Sequence, residues 1–309
     1  MHDSIALRAF WTDIRQESGT HSSSPAQNTE ALRHGYQEPP HPNAIGQLLL
    51  LWRNRLQELP ADLLSGVPHL HTLDLTGNQL QDLPAGVFSH SLLRSVVLKE
   101  NRLSSADAHW FPPNSSLTWL DLSFNQLTVI PTALLQHLPH LETLHLNNNK
   151  LEKIPTGALV PLPHLQRLHL EGNKLSFLEP SSFQNFPNLT NLFLQENRLE
   201  KLSPGLFQGL PHLDVLSLEQ NRLRSLPPGL LDQLPALGTS SVQGLDLSLN
   251  PWDCDSNIEY VWNWLKGHQD KAFSLEDVKC ATPKSLHGRP LVKLTAEEWR
   301  RGEEGGKEQ

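Results

Sequence analysis

Cysteine is almost absent from this 309-residue sequence, which has two, and methionine and tyrosine are at least as scarce at one and two. Two cysteines can build neither a disulfide-rich scaffold nor a four-cysteine zinc site. Basic charge is also in deficit: 25 Lys and Arg stand against 33 Asp and Glu, a formal net charge of -8. This excludes nucleic-acid or anionic-membrane binding that relies on a generally basic surface. The longest apolar run, Leu48 to Trp52, falls far short of the roughly 20 residues a membrane-spanning helix needs. From Met1 to Tyr36 the charges of Asp3, Arg8, Asp13, Arg15, Glu17 and Glu30 leave no continuous apolar stretch of the leader type. Ser18 to Asn43 is polar and without periodicity, so it reads as poorly ordered. Chemical motifs are lacking too. There is no Gly-x-Ser-x-Gly, no phosphate-cradling glycine loop and no spacing that singles out a nucleophile with its base. No catalytic residue and no cofactor is therefore assigned.

What the sequence does have is a repeat. Asparagine recurs at 54, 78, 101, 125, 149, 173, 197, 221 and 250, at intervals of 24, 23, 24, 24, 24, 24, 24 and 29. Apolar residues precede it at minus five and minus three, as in Leu73 and Leu75, Leu120 and Leu122, and Leu168 and Leu170. This is the leucine-rich repeat pattern. The alternation makes a short strand with one buried face, and the asparagine amide can bond main-chain groups where the coil turns away. Leu83-Pro84, Ile130-Pro131, Ile154-Pro155 and Leu226-Pro227 then end each post-asparagine segment, since proline suits an irregular convex side. A deeper apolar residue follows, at Phe88, Leu135, Leu159, Phe183, Phe207 and Leu231, and predicts a second core ladder. A single coil cannot bury its own faces, whereas nine stacked coils can.

The predicted fold is an α/β-type solenoid, a leucine-rich repeat horseshoe with a parallel concave sheet and a C-terminal cap. Its parts are a poorly ordered segment over 1–45, about nine coils over 46–250, a C-terminal flanking cap over 251–294 and a charged tail over 295–309. The extra residues of the last interval fall near Gly238 to Gln243. In the cap, Val261, Trp262, Trp264 and Leu265 have helical spacing. Cys254 and Cys280 both lie there with no competing cysteine and are expected to pair. No capping element is recognisable before the first coil, Gln47 to Asn54, so either the N-terminal segment folds over that edge or the edge is exposed. The tail is expected to fray.

The 24-residue coil resembles the extracellular type of leucine-rich repeat, and Asn250-Pro251-Trp252 with Cys254 resembles its C-terminal flanking cap. Common caps carry four cysteines; here Ser256 stands two residues after Cys254, and only Cys280 follows. Together with Val97-Leu98-Lys99-Glu100-Asn101, Leu168-His169-Leu170-Glu171-Gly172-Asn173-Lys174-Leu175 and Asp270-Lys271-Ala272-Phe273-Ser274, this cap is similar to the leucine-rich alpha-2-glycoprotein family, over roughly Gly46 to Leu294. The repeated parallel strands suit non-catalytic binding of another folded protein, and the resemblance implies a secreted plasma glycoprotein. It also implies protein partners: transforming growth factor beta receptor components, with signalling in endothelium, and cytochrome c. An intracellular adaptor using the same concave surface is the alternative, favoured by the absence of a visible leader.

Candidate site residues follow from the strand pattern. Positions minus six, minus four and minus two from each asparagine face outward, which places Trp119, His145, His169, Glu171, Phe193 and Glu219 on one concave surface as a partner-binding site. Trp119 and Phe193 stand out, because an aromatic ring on a sheet face is a common interface anchor; packing against neighbours on that face is the plainer reading. His145 and His169 lie on neighbouring strands near Glu171, a combination suited to a zinc ion or a pH response, against the plainer reading of two solvated histidines. The Asn114-Ser115-Ser116 and Asn188-Leu189-Thr190 sequons mark Asn114 and Asn188 for glycosylation.

Overall fold

The computed structural model describes residues 47–89, 92–184, 186–240 and 244–301. Nine short strands follow one another at the repeat interval: β1 (Leu48–Leu50), β2 (Thr72–Asp74), β3 (Ser95–Val97), β4 (Trp119–Asp121), β5 (Thr143–His145), β6 (Arg167–His169), β7 (Asn191–Phe193), β8 (Val215–Ser217) and β9 (Leu245–Asp246). They pair in parallel in chain order. The register repeats, with Leu120 opposite Leu144, Leu144 opposite Leu168 and Leu168 opposite Leu192. These leucines are fully buried. A one-residue slip would turn the whole row out to solvent, and this fixes the alignment of every coil.

The asparagine amides join coil to coil. Asn149 Oδ1 accepts from the Leu127 amide at 3.0 Å, while its Nδ2 donates to the carbonyls of Leu122 at 2.9 Å and Leu146 at 3.1 Å. The same set recurs at Asn101, Asn125, Asn173, Asn197 and Asn221. The residue before each asparagine turns with positive φ, from Arg53 to Leu249. On the convex side Phe88, Leu135, Leu159, Phe183, Phe207 and Leu231 are all buried, as the second ladder predicts. A single helical turn, α1 (Thr132–Leu135), carries one of them.

The cap begins with β10 (Trp252–Asp253) and α2 (Glu259–Gly267). α2 buries Val261, Trp264 and Leu265, while the half-buried Trp262 donates its Nε1 to the Leu294 carbonyl at 3.1 Å. Cys254 and Cys280 are disulfide-bonded. β10 pairs with β12 (Cys280–Thr282). The cap does more than cover the last coil, because β11 (Ala272–Phe273) pairs with β9 and adds a tenth strand to the main sheet. This accounts for Gly244: a Cβ there would lie 2.2 Å from the Lys271 carbonyl oxygen, so only glycine allows the cap chain this close. In the lengthened interval, Asp214 Oδ1 accepts from the amides of Thr239 at 2.9 Å and Ser240 at 3.1 Å.

The expectation of a frayed tail needs correction over its first half. Ala296–Arg301 forms α3, and Trp299 is only 2% exposed. Arg289 donates to Glu298 Oε1 at 2.6 Å, and Glu298 Oε2 accepts from the Thr295 amide at 2.8 Å. Hydrogen bonding to Arg289, then to Thr295, pulls the Glu298 carboxyl down to about 2. Thr-x-x-Glu is a helix-capping signature legible in the sequence, but the density of charge around it obscured it. The expectations for 1–45 lie outside the described residues. At the first coil, Leu48, Leu50 and Trp52 are exposed.

Candidate functional site on the concave sheet

Four of the six residues expected on the concave face meet as one stack. The Trp119 and His145 ring centres are 5.0 Å apart, those of His145 and His169 4.0 Å, and those of His169 and Phe193 4.4 Å. The stack crosses β4 to β7 because His145, His169 and Phe193 occupy the same register position on consecutive strands. Trp119 enters from two residues earlier in its coil, and its ring leans over the neighbouring strand. Both aromatics are half-buried by this packing. Glu171 joins the group, its Oε1 lying 3.2 Å from His169 Nδ1. Glu219 lies outside the stack, beyond β7. Burial raises its carboxyl above the ordinary carboxylate range, and the charges of Asp246 and Glu196 add to the shift.

The stack argues against the zinc option. His145 and His169 lie 13° from parallel, so their in-plane nitrogen lone pairs run side by side and do not converge on one ion. Among the described residues no group of three or more His, Cys, Asp or Glu is placed to hold a metal. The pH option has a geometric basis. A proton on His145 meets burial first and the His169 ring second, and both push its pKa below the ordinary 6.5 despite Asp121 and Glu171. The folded state therefore resists a proton that the unfolded state accepts below 6.5. Its contribution to stability is complete above that pH and is lost as pH falls towards the lowered folded value. Chemical denaturation of wild type and His145→Gln as pH falls from about 7.5 to about 5.5 should show a smaller loss for the variant. Parallel pH curves would assign the acid sensitivity to other groups.

Sequence reasoning missed the polar edge beside the stack. Asn147, Glu171 and Gln195 are the minus-two residues of consecutive coils. Asn147 Oδ1, Glu171 Oε2 and Gln195 Oε1, together with His145 Nε2, are buried without a hydrogen-bond partner. The signal was in the shared offset, but the absence of donors depends on side-chain directions that spacing does not give. Asn114 and Asn188 are exposed on segments leading into β4 and β7.

Comparison with known proteins agrees with the repeat architecture. The leucine rich repeat family model matches residues 47–92, 91–151, 139–199 and 187–251, together well over half of the chain. The chain belongs to the leucine-rich repeat family. Among relatives, it is 40% identical to human Toll-like receptor 5 over 96 residues, 29% of this chain and 11% of that protein. Against human podocan-like protein 1 it is 40% identical over 89 residues, 28% of this chain and 17% of that protein. The crystal structure of the mouse RP105/MD-1 complex superposes on 81% of this chain and 42% of the matched chain, with a TM-score of 0.69 and 27% identity. The leucine-rich repeat chain thus spans only a minor part of each of these relatives. Proteins of this family mediate protein–protein binding, and receptors are among them. Among the described residues no helix is long and apolar enough to cross a membrane.

Proposed function

We propose that this chain is a non-catalytic protein-binding solenoid that holds a folded partner against the Trp119–His145–His169–Phe193 stack, with Glu171 and Glu219 at its margin. The observation that carries this reading is the stack itself. It is a wide aromatic surface on a rigid sheet, and rigid aromatics supply contact area at little cost in conformational entropy. In finer detail, the chain acts as a secreted glycoprotein of the leucine-rich alpha-2-glycoprotein type, modulating transforming growth factor beta type receptor signalling in endothelium, with cytochrome c as a second ligand. The Cys254–Cys280 bond is consistent with an oxidising compartment. The exposed sequons at Asn114 and Asn188 are consistent with glycans added there.

The test is binding of transforming growth factor beta receptor ectodomains and of cytochrome c to wild type and to Trp119→Ala with Phe193→Ala. Each replacement is expected to weaken binding by about 2 kcal/mol, while loss of ring contacts lowers stability by only about 1 kcal/mol each. Unchanged binding by the folded double variant would move the site off the concave sheet. If neither ligand binds wild type, the assignment of those partners fails.

A further inference from the structure

The deficit of basic charge in the whole sequence hides a local surplus on one flank. Lys150, Lys174, Arg198 and Arg222 each follow the ladder asparagine of their coil directly. Their amides donate to Leu127, Leu151, Leu175 and Leu199 of the preceding coil, at 2.8, 2.8, 2.8 and 2.9 Å. These repeated bonds hold the four cations at one place in consecutive coils. At about 4.8 Å per coil the row is roughly 14 Å long. Lys153 and Lys201 stand three residues further along their coils, and Arg224 two further along its own. Side chains do meet across this flank: Lys150 Nζ lies 3.4 Å from Gln126 Oε1 and Arg222 Nη1 4.0 Å from Glu200 Oε1.

Within this flank the seven cations face two carboxylates, Glu152 and Glu200, with Glu196 and Asp253 at its margins. Arg224 pairs with Asp253 at 3.2 Å. Lys153, Lys174, Arg198 and Lys201 take part in no ion pair among the described residues. At physiological salt, charges act together over about 8 Å. Neighbours in the row therefore reinforce one another, while the acidic remainder of the chain is largely screened. The earlier coils have no such row, their equivalent positions being Arg55, Gln79, Arg102 and Gln126.

We infer that this flank, over the coils of Asn149 to Asn221, is a binding surface for a sulfated glycosaminoglycan chain. A narrow row of cations along the solenoid axis suits a linear polyanion better than a lipid plane, which would engage a broad basic surface. Phe177 is exposed at the same offset as Lys153 and Lys201, between them in coil order, and offers an apolar ring to the C–H face of a sugar. Single-stranded nucleic acid is held on successive aromatic platforms along a basic groove, and Phe177 stands by itself in this row. The surface lies beyond the asparagine ladder, on the flank, so it stands or falls independently of the concave site.

The test is equilibrium binding of the full chain to immobilised heparin at physiological salt. Desulfated heparin, phosphatidylserine-containing vesicles and a single-stranded RNA serve as competing probes. Wild type should bind heparin, lose that binding on desulfation and weaken steeply as salt rises. Lys174→Glu with Arg198→Glu should lower affinity about tenfold or more. A charge-matched control on the cap, Lys266→Glu with Lys284→Glu, should stay within about twofold, and although Lys266 lies over the Trp262 ring both variants should remain folded, losing no more than about 1 kcal/mol of stability. No heparin binding by wild type, equal losses in the two variants, or tighter binding to vesicles or RNA would each overturn the inference.

Discussion

Asn173→Ala should lower the unfolding free energy by about 3 kcal/mol, although the side chain touches no candidate site residue except through the backbone of Glu171. The amide is 6% exposed. Its Oδ1 accepts from the Leu151 amide at 3.0 Å, and its Nδ2 donates to the carbonyls of Leu146 and Leu170, both at 3.0 Å, and of Glu171 at 3.4 Å. Alanine removes all of these and leaves the Leu151 amide buried without a partner, which costs more than its bond contributes, while the carbonyls of Leu146, Leu170 and Glu171 each keep one donor, in Asn149 Nδ2, Asn197 Nδ2 and the Asn148 amide. Because the bonds join two coils, the loss falls on the nearest-neighbour coupling that holds a solenoid together. Urea unfolding by circular dichroism measures it. A loss below about 1 kcal/mol would mean that water replaces the amide and that the ladder is not structural.

The second large effect is on the convex side. Phe207 is fully buried, with its ring centre 6.5 Å from that of Phe183 in the preceding coil. Phe207→Ala should cost about 4 kcal/mol, the sum of lost apolar burial and a cavity that stacked coils cannot collapse to fill. Phe207→Leu should cost no more than about 1.5 kcal/mol. Leucine occupies the equivalent position in other coils, at Leu135, Leu159 and Leu231. Equal losses for the two variants would point to ring stacking, and not filled volume, as the source of stability.

The two replacements act on the two features most legible in the sequence. Asparagine and phenylalanine recur at fixed offsets because each coil solves the same local problem of turning the backbone and filling the convex core. The pairing of Cys254 with Cys280 was equally legible, as no other cysteine competes. The capping box at Thr295 and Glu298 was present but lost among charges. Burial of Trp299 by the cap is a long-range event that no local pattern reports.

For the concave face, periodicity established which residues share a surface, because side chains in a strand alternate with period two whatever their chemistry. It did not establish that Trp119, His145, His169 and Phe193 stack, that His145 and His169 lie too nearly parallel to chelate an ion, or that acceptors on three consecutive coils lack donors. Nor did the overall charge reveal the cationic flank, since the cations lie roughly 24 residues apart in sequence and become neighbours only when the coils stack. The repeat, its register and the buried ladders are set by local covalent geometry and by apolar spacing, and these the amino-acid sequence determined alone. Ring orientations, unpaired polar atoms, the tenth strand and the grouping of like charges depend on distances between separate coils, and only tertiary packing decided them.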